Sequence, residues 1–488
     1  MKIQLIAFLG IILFGAVVTP LAQEQGQEYY PERDPLVLEK LEKWQELKFG
    51  LLMHWGPYCQ WGVVESWSVC SEDEPWCRRK IDDYQEYKHQ YENLRTTFNP
   101  VKFKPEDWAE AAKEAGMKYV VFTTKHHDGF CMFETKYSDY KVTDTDCPFN
   151  SDPRANVTKM IFNTFRDQGF WVGTYFSKPD WHSEYYWWPK FAAPDRNVNY
   201  DPADYPDRWE KFVQYTHNQI MELMTDYGQV DILWLDGGWV EKLSEKQIRD
   251  RYGDMLSKNP NGFIKRRVVS QDIRMGELVQ KARGKQPGLI VVDREVEGPY
   301  QNYLTPENRV PEKMLPYPWE ACLTSGGGWS WNPNARYKSP QQLVHILVDI
   351  VAKGGNLLLN IAPGPEGTWH DAAYDLLEDV GDWMEVNGEA LYETRPLVPY
   401  KEGKVCLTQK KDGTVYAIYL TDENEVRPPK EISLTSWHPE GDAVVSLLGS
   451  DATINWARED SGVRFHIPES LRESPPCAYA WAVKISSP

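Results

Sequence analysis

Six short apolar runs recur along the first 361 residues and limit the fold more than any other feature of the chain. They cover residues 49–54, 118–124, 170–175, 230–236, 288–293 and 356–361. Each is apolar at nearly every position, the pattern of a strand covered on both faces in a parallel sheet. Helical segments lie between them. Residues 107–115 place Trp108, Ala111, Ala112 and Ala115 on one face and stop at Gly116. Ser339-Pro340-Gln341-Gln342 has the form of a capping box with proline at the first helical position. Leu343, Ile346, Leu347, Ile350 and Val351 then recur at helical spacing up to Lys353-Gly354-Gly355. Strand alternating with helix over this length predicts an α/β fold, a (β/α)8-like TIM barrel over residues 23–395. The charged stretch 243–286 reads as an elaborate connection within it. Beyond about residue 390 short strand candidates at 405–409, 415–420, 443–448 and 478–483 are separated by turn residues. They predict a small antiparallel β-sandwich over 396–488.

The first residues read as an address. Lys2 precedes an apolar stretch over 3–18, and Thr19-Pro20-Leu21-Ala22 leads into polar residues. The stretch is short for a membrane span and has the layout of a cleaved secretory signal, residues 1–22. Export to a periplasm or the exterior follows, or to a lysosome in a eukaryote. A formal net charge of −18 argues against a nucleic-acid partner. The 21 Trp and 27 Tyr offer flat rings for core packing or for sugar faces. None of the eight cysteines forms a CxxC pair. Cys70 and Cys77 are close enough to bridge, although buried free thiols are the simpler reading for most of the eight. Asn156-Val157-Thr158 is a formal glycosylation sequon.

Barrels of this kind carry their chemistry at the C-terminal ends of the strands. Here those ends hold His54, then His126, His127 and Asp128, then Tyr175, Asp236, and Asp293 with Arg294. Retaining glycoside cleavage needs two carboxyl groups roughly 5–5.5 Å apart. Asp236 suits the nucleophile, with Gly237-Gly238 leaving room for substrate; its plainer reading is a cap or a partner for an arginine. Glu295, Glu297 and Glu307 are all open as the second carboxyl. His126-His127-Asp128 raises metal hydrolysis, a weaker reading, since adjacent histidines diverge and no third ligand stands at a metal-like spacing. Imidazoles can instead bond sugar hydroxyls.

From about Trp44 to Thr394 these residues resemble the α-L-fucosidases of glycoside hydrolase family 29. The resemblance rests on Gly50-Leu51-Leu52-Met53-His54-Trp55-Gly56, Phe98-Asn99-Pro100, Ala115-Gly116-Met117-Lys118-Tyr119 and Lys125-His126-His127-Asp128-Gly129-Phe130. It implies a retaining exo-glycosidase that releases terminal α-L-fucose from an oligosaccharide or glycoprotein glycan, with no metal or organic cofactor. It implies Asp236 as nucleophile, Trp234 as a pocket wall, and His54, His126 and His127 as hydroxyl ligands. Glu65 with Trp67 and Tyr175 (or Phe176) join the sugar site, and Trp319 is a further substrate-binding candidate. Arg294 matches the arginine of the family's Asn-Asp-Arg, here Val292-Asp293-Arg294. In the family the acid/base can lie about a dozen residues further on, which favours Glu307 over Glu295. The same fold acting on α-L-galactosides, or a silent glycan-binding protein, are the competing expectations.

Overall fold

The computed structural model describes residues 28–486, apart from 73, 75, 260, 263 and 265. The predicted secretory signal, 1–22, lies outside the described residues. Among the described residues no helix is long and apolar enough to cross a membrane.

The six apolar runs are six strands of one parallel sheet. They are β1 (Phe49–Met53), β2 (Tyr119–Lys125), β3 (Trp171–Ser177), β4 (Ile232–Asp236), β5 (Ile290–Asp293) and, after an unforeseen β6 (Glu320–Thr324), β7 (Asn356–Asn360). Their order is β5-β4-β3-β2-β1-β7-β6. Alternate residues face two different cores, which is why the runs are apolar throughout. Leu52, Val121, Trp234, Val292 and Leu358 fill the barrel. Leu51, Val120, Leu233, Val291 and Leu357 pack outward against helices such as Pro105–Glu114, Val157–Asp167 and Pro340–Ala352. The capping box of the last is formed as expected.

β6 escaped the sequence reading because it opens on a charge. Glu320 is fully buried. It accepts hydrogen bonds from the Tyr119 hydroxyl (2.7 Å) and the Trp234 indole (3.2 Å), so the barrel interior solvates the carboxyl that disguises the strand.

The edges β5 and β6 do not pair with each other. Residues 301–308 fit between them and bond both sides. Asn302 N–H donates to Val291 O (2.9 Å), Glu320 N–H to Leu304 O (2.8 Å) and Asn308 N–H to Cys322 O (2.9 Å). The eighth position of the barrel is therefore an irregular segment. Pro306, within it, has no N–H to give to a ladder.

The second body holds eight strands: β8 (Thr394–Glu402), β9 (Val405–Lys410), β10 (Val415–Leu420), β11 (Glu431–Leu434), β12 (Val444–Leu447), β13 (Asn455–Glu459), β14 (Gly462–His466) and β15 (Ala480–Ser486). They form a five-stranded sheet, β12-β15-β10-β9-β8, and a three-stranded sheet, β11-β14-β13. Leu407, Ala417, Ile432, Phe465 and Val483 fill the space between the sheets. The other face of the larger sheet belongs to the barrel, since Cys406, Tyr416, Ile418 and Ala482 share its helix-covered core. All eight cysteines are free, so Cys70 and Cys77 are not bridged. In the sequon, Asn156 caps the helix Val157–Asp167 and its amide donates to the Tyr227 hydroxyl (3.1 Å); Thr158 is buried.

Candidate active site

A cavity of about 510 Å3 opens at the C-terminal end of the sheet, walled in part by His54, Glu65, His127, Trp234 and Asp236. β3 and β4 run in register, pairing Tyr175 with Trp234 and Ser177 with Asp236. That register brings the Tyr175 hydroxyl to Asp236 Oδ2, to which it donates at 2.6 Å. Phe176, on the other face of β3, is buried under Lys125 and takes no part. Asp236 Oδ1 accepts from the Gly237 N–H (2.8 Å) and from Arg294 Nη1 (3.1 Å). Burial alone would raise the pKa of Asp236. The Arg294 charge first, and the Tyr175 bond, outweigh it and hold the carboxyl well below the usual range, so Asp236 is ionised.

The glycines after Asp236 make room for protein, against the sequence expectation that they leave room for substrate. Gly237 has φ +92°, and a Cβ there would lie 2.4 Å from Pro179. A Cβ at Gly238 would lie 2.7 Å from that of Glu295.

Arg294 divides its two terminal nitrogens between carboxylates, Nη1 to Asp236 and Nη2 to Glu307. Glu307 also accepts from the Trp329 indole (3.0 Å), and 41% of its side chain is exposed. Glu295 stands at the rim, 60% exposed and 3.4 Å from Arg294. Glu297 lines a neighbouring groove.

The three imidazoles are buried and uncharged. Burial lowers the pKa of His54 to about 4 and of His127 to about 3, and pushes that of His126 well below the ordinary value. His54 Nδ1 donates to Asn360 Oδ1 (3.0 Å), which leaves Nε2 as an acceptor. His126 Nδ1 is paired with the Ser66 hydroxyl, and its ring stacks on Tyr175 at 5.5 Å. The adjacent histidines do not diverge. A bulge at Thr124 re-aims the end of β2, and the two rings lie 4.3 Å apart.

The fold also supplies the third ligand that sequence spacing lacked: donor atoms of His126, His127 and Asp236 lie within 4.8 Å of one another. Both Asp236 oxygens already accept hydrogen bonds, however, and the Arg294 guanidinium 3.1 Å away opposes a cation. The donor set fits a hydroxyl-bearing ligand better than a resident metal.

Glu65 is buried with its Oε1 unpartnered. Burial first, then the charge of Glu307, raises its pKa to about 8. Trp67 packs edge-on to His127 (5.3 Å) and lies under Arg196, whose guanidinium is 4.5 Å from its ring centroid.

Two strand-end residues, and Trp319, serve structure. Asp128 accepts from Tyr91 (2.7 Å), and Asp293 pairs with buried Lys178. Trp319 precedes β6, is fully buried, and packs on Gly355 under the sheet; it does not reach the cavity. Trp329, after β6, takes the place expected for it. With β6 unrecognised, nothing in the sequence separated the tryptophan before the strand from the one after it. Trp76, Arg196 and Trp239 also line the cavity unforeseen. Asn360 carried a readable signal, a polar residue near the end of an apolar run.

A largely buried, ionised carboxylate and a second, half-open one held by one guanidinium at the top of a barrel suit the carboxyl pair of a glycoside hydrolase. The α-L-fucosidase family profile matches residues 16–389, and that of the α-L-fucosidase C-terminal domain matches 400–486. The chain belongs to this family, glycoside hydrolase family 29. It is 27% identical over 480 residues to human plasma α-L-fucosidase, covering 94% of this chain and 92% of the relative. The α-L-fucosidase of Branchiostoma floridae is 26% identical over 491 residues, 98% and 99% of the two chains. Among solved structures, α-L-fucosidase isoenzyme 1 from Paenibacillus thiaminolyticus superposes with a TM-score of 0.71 at 28% identity, covering 92% and 99%. Thermotoga maritima α-fucosidase in complex with fucose gives 0.69 at 25% identity, covering 94% and 100%.

Proposed function

We propose that this chain releases terminal α-L-fucose from fucosylated glycans by double displacement, with Asp236 as nucleophile and Glu307 as acid/base. Asp236 attacks the anomeric carbon while Glu307 gives its proton to the departing glycosidic oxygen. Glu307 then takes a proton from water, which displaces Asp236 and frees the sugar with retained configuration. His54, His126, His127 and Glu65 hold the fucose hydroxyls, and Trp67 and Trp234 its apolar faces. The observation that carries the reading is the shared Arg294, which keeps both carboxylates within one guanidinium's span. The fucose complex of the Thermotoga relative supports the choice of sugar. Export by the N-terminal segment places the enzyme in a periplasm, the exterior or a lysosome.

The test is turnover of an aryl α-L-fucoside by Asp236→Ala and Glu307→Ala. Asp236→Ala is expected to lose turnover, with azide yielding a glycosyl azide; Glu307→Ala is expected to retain partial activity on an activated leaving group. Near-normal activity of Asp236→Ala would overturn the reading. Identifying the sugar released from a mixed α-L-fucoside and α-L-galactoside panel tests the choice of fucose.

A further inference from the structure

The stretch 243–286, inserted between β4 and β5 and containing the helices Glu245–Lys258 and Met275–Lys285, is locked against the mouth of the cavity. Glu72 and Glu74 follow Glu65 and Trp67 on the same loop, and each pairs with both Arg196 and Arg266. Arg266 belongs to the inserted stretch, so this network ties it to the wall of the sugar pocket. Gln271, fully buried, makes a second tie. Its amide donates to Trp239 O (3.0 Å), while its carbonyl accepts from the Tyr186 hydroxyl (2.8 Å). That hydroxyl in turn accepts from the Trp239 indole (3.2 Å). The insertion thus fixes the tryptophan three residues after Asp236.

Between the insertion and the mouth runs a second cavity of about 460 Å3, which shares Arg196, Trp239 and Glu295 with the first and continues along Arg251, Asp254, Met255 and Val268. At the junction Arg196 lies over the rings of Trp67 and Trp239, and Trp76 packs edge-on to Trp67 with 51% of its surface exposed. An exposed indole beside a cleft is a platform for a ring with apolar C–H faces. Three of the four arginines lining the groove are paired with carboxylates, Arg196 and Arg266 with Glu72 and Glu74, and Arg251 with Glu241 (2.7 Å), and the fourth, Arg267, is turned to the backbone oxygen of Val198. A groove whose arginines are already engaged, three by carboxylates and one by a backbone carbonyl, offers little to an anion, and much to neutral hydroxyls that can insert among fixed donors and acceptors.

We propose that the inserted stretch builds a leaving-group site for at least two further neutral sugar rings. Their path runs from Trp76 and Trp239 along the groove beside Met255 and Val268. The site rests on the fucosidase reading and makes the enzyme one for fucosyl oligosaccharides over short fucosides.

The test compares kcat/KM on an aryl α-L-fucoside with that on a neutral fucosylated tetrasaccharide, for the wild type, Arg251→Ala and Met255→Trp. Arg251 is on the helix surface, and Met255→Trp fills the groove. Each variant is expected to lose about tenfold on the tetrasaccharide, as a raised KM with kcat held, equivalent to about 1.4 kcal/mol. Activity on the aryl fucoside should stay within about twofold, which also reports that the variant is folded. Equal losses on both substrates, or no loss on either, overturn the proposal. If the wild type cleaves no fucoside, the activity reading fails, and calorimetric titration with the fucose-free trisaccharide tests the groove by itself. Binding of that trisaccharide weakened by Met255→Trp supports the site. No binding, or tighter binding of a sulfated analogue, overturns it.

Discussion

At the residue scale the cavity sets carboxyl groups against each other. Glu65 is protonated up to about pH 8 because burial resists its ionisation, whereas Arg294 keeps Asp236 charged. A neutral Glu65 donates to a sugar hydroxyl; an ionised one adds charge beside the nucleophile. kcat/KM is therefore expected to fall as pH rises through about 8, and Glu65→Gln to flatten that limb of the profile. The sign for stability is the same. The folded state keeps a proton that the unfolded carboxyl loses near pH 4.3, so stability declines from there up to about pH 8. Thermal melts of Glu65→Gln should decline less over that window. Tyr175→Phe removes a hydrogen bond to the charged Asp236, worth about 1.5–3 kcal/mol in general; a fall of about tenfold or more in kcat/KM on an aryl fucoside is the expected reading. Of these groups His54, Tyr175, Asp236 and Arg294 were legible as polar residues ending apolar runs. Ser66, which pairs with His126, carried no such mark, because its place depends on a loop that packs from elsewhere in the chain.

At the scale of elements, the unforeseen parts meet in one place. β6 hides behind Glu320, and the segment 301–308 beside it has neither strand periodicity nor helix periodicity. Its anchor is Asn302, fully buried, whose side-chain oxygen accepts from Val291 N–H (2.8 Å) and whose amide donates to Glu32 (3.0 Å). Asn302→Ala leaves those groups unpaired. It is expected to cost about 1–3 kcal/mol in denaturant unfolding and to lower kcat by loosening the segment that holds Glu307. Unchanged kcat would show that Glu307 is held by Arg294 and Trp329 alone. The barrel itself was legible because six of its seven strands, all covered on both faces, carry apolar runs that no buried charge interrupts at the start. That Glu307 shares Arg294 with Asp236 was not, because that contact is made by Arg294 and the segment beside β6 together.

At the scale of the whole molecule, the sandwich is part of the barrel's own interior. Ile418 and Ala482 lie in the helix-covered core, and Trp383 in the barrel's last helix donates to Ala480 O (2.9 Å). A chain ended near residue 395 exposes that face, so it is expected to aggregate or to melt without a cooperative transition, as calorimetry and light scattering would show. Strands 405–410 and 415–420 were legible as apolar runs, whereas β13 has little apolar surface to announce it. The irregular eighth position has a consequence for how such an enzyme can diversify. Adding or deleting a residue in a regular strand inverts the facing of every side chain beyond it, but a stretch that was never pleated has no facing to invert. Between Arg294 and Gln301, ahead of the bonds that hold the segment to both sheet edges, the chain can change length and leave those bonds in place, so variation in leaving-group range has a natural cassette here while the walls around the sugar stay as they are.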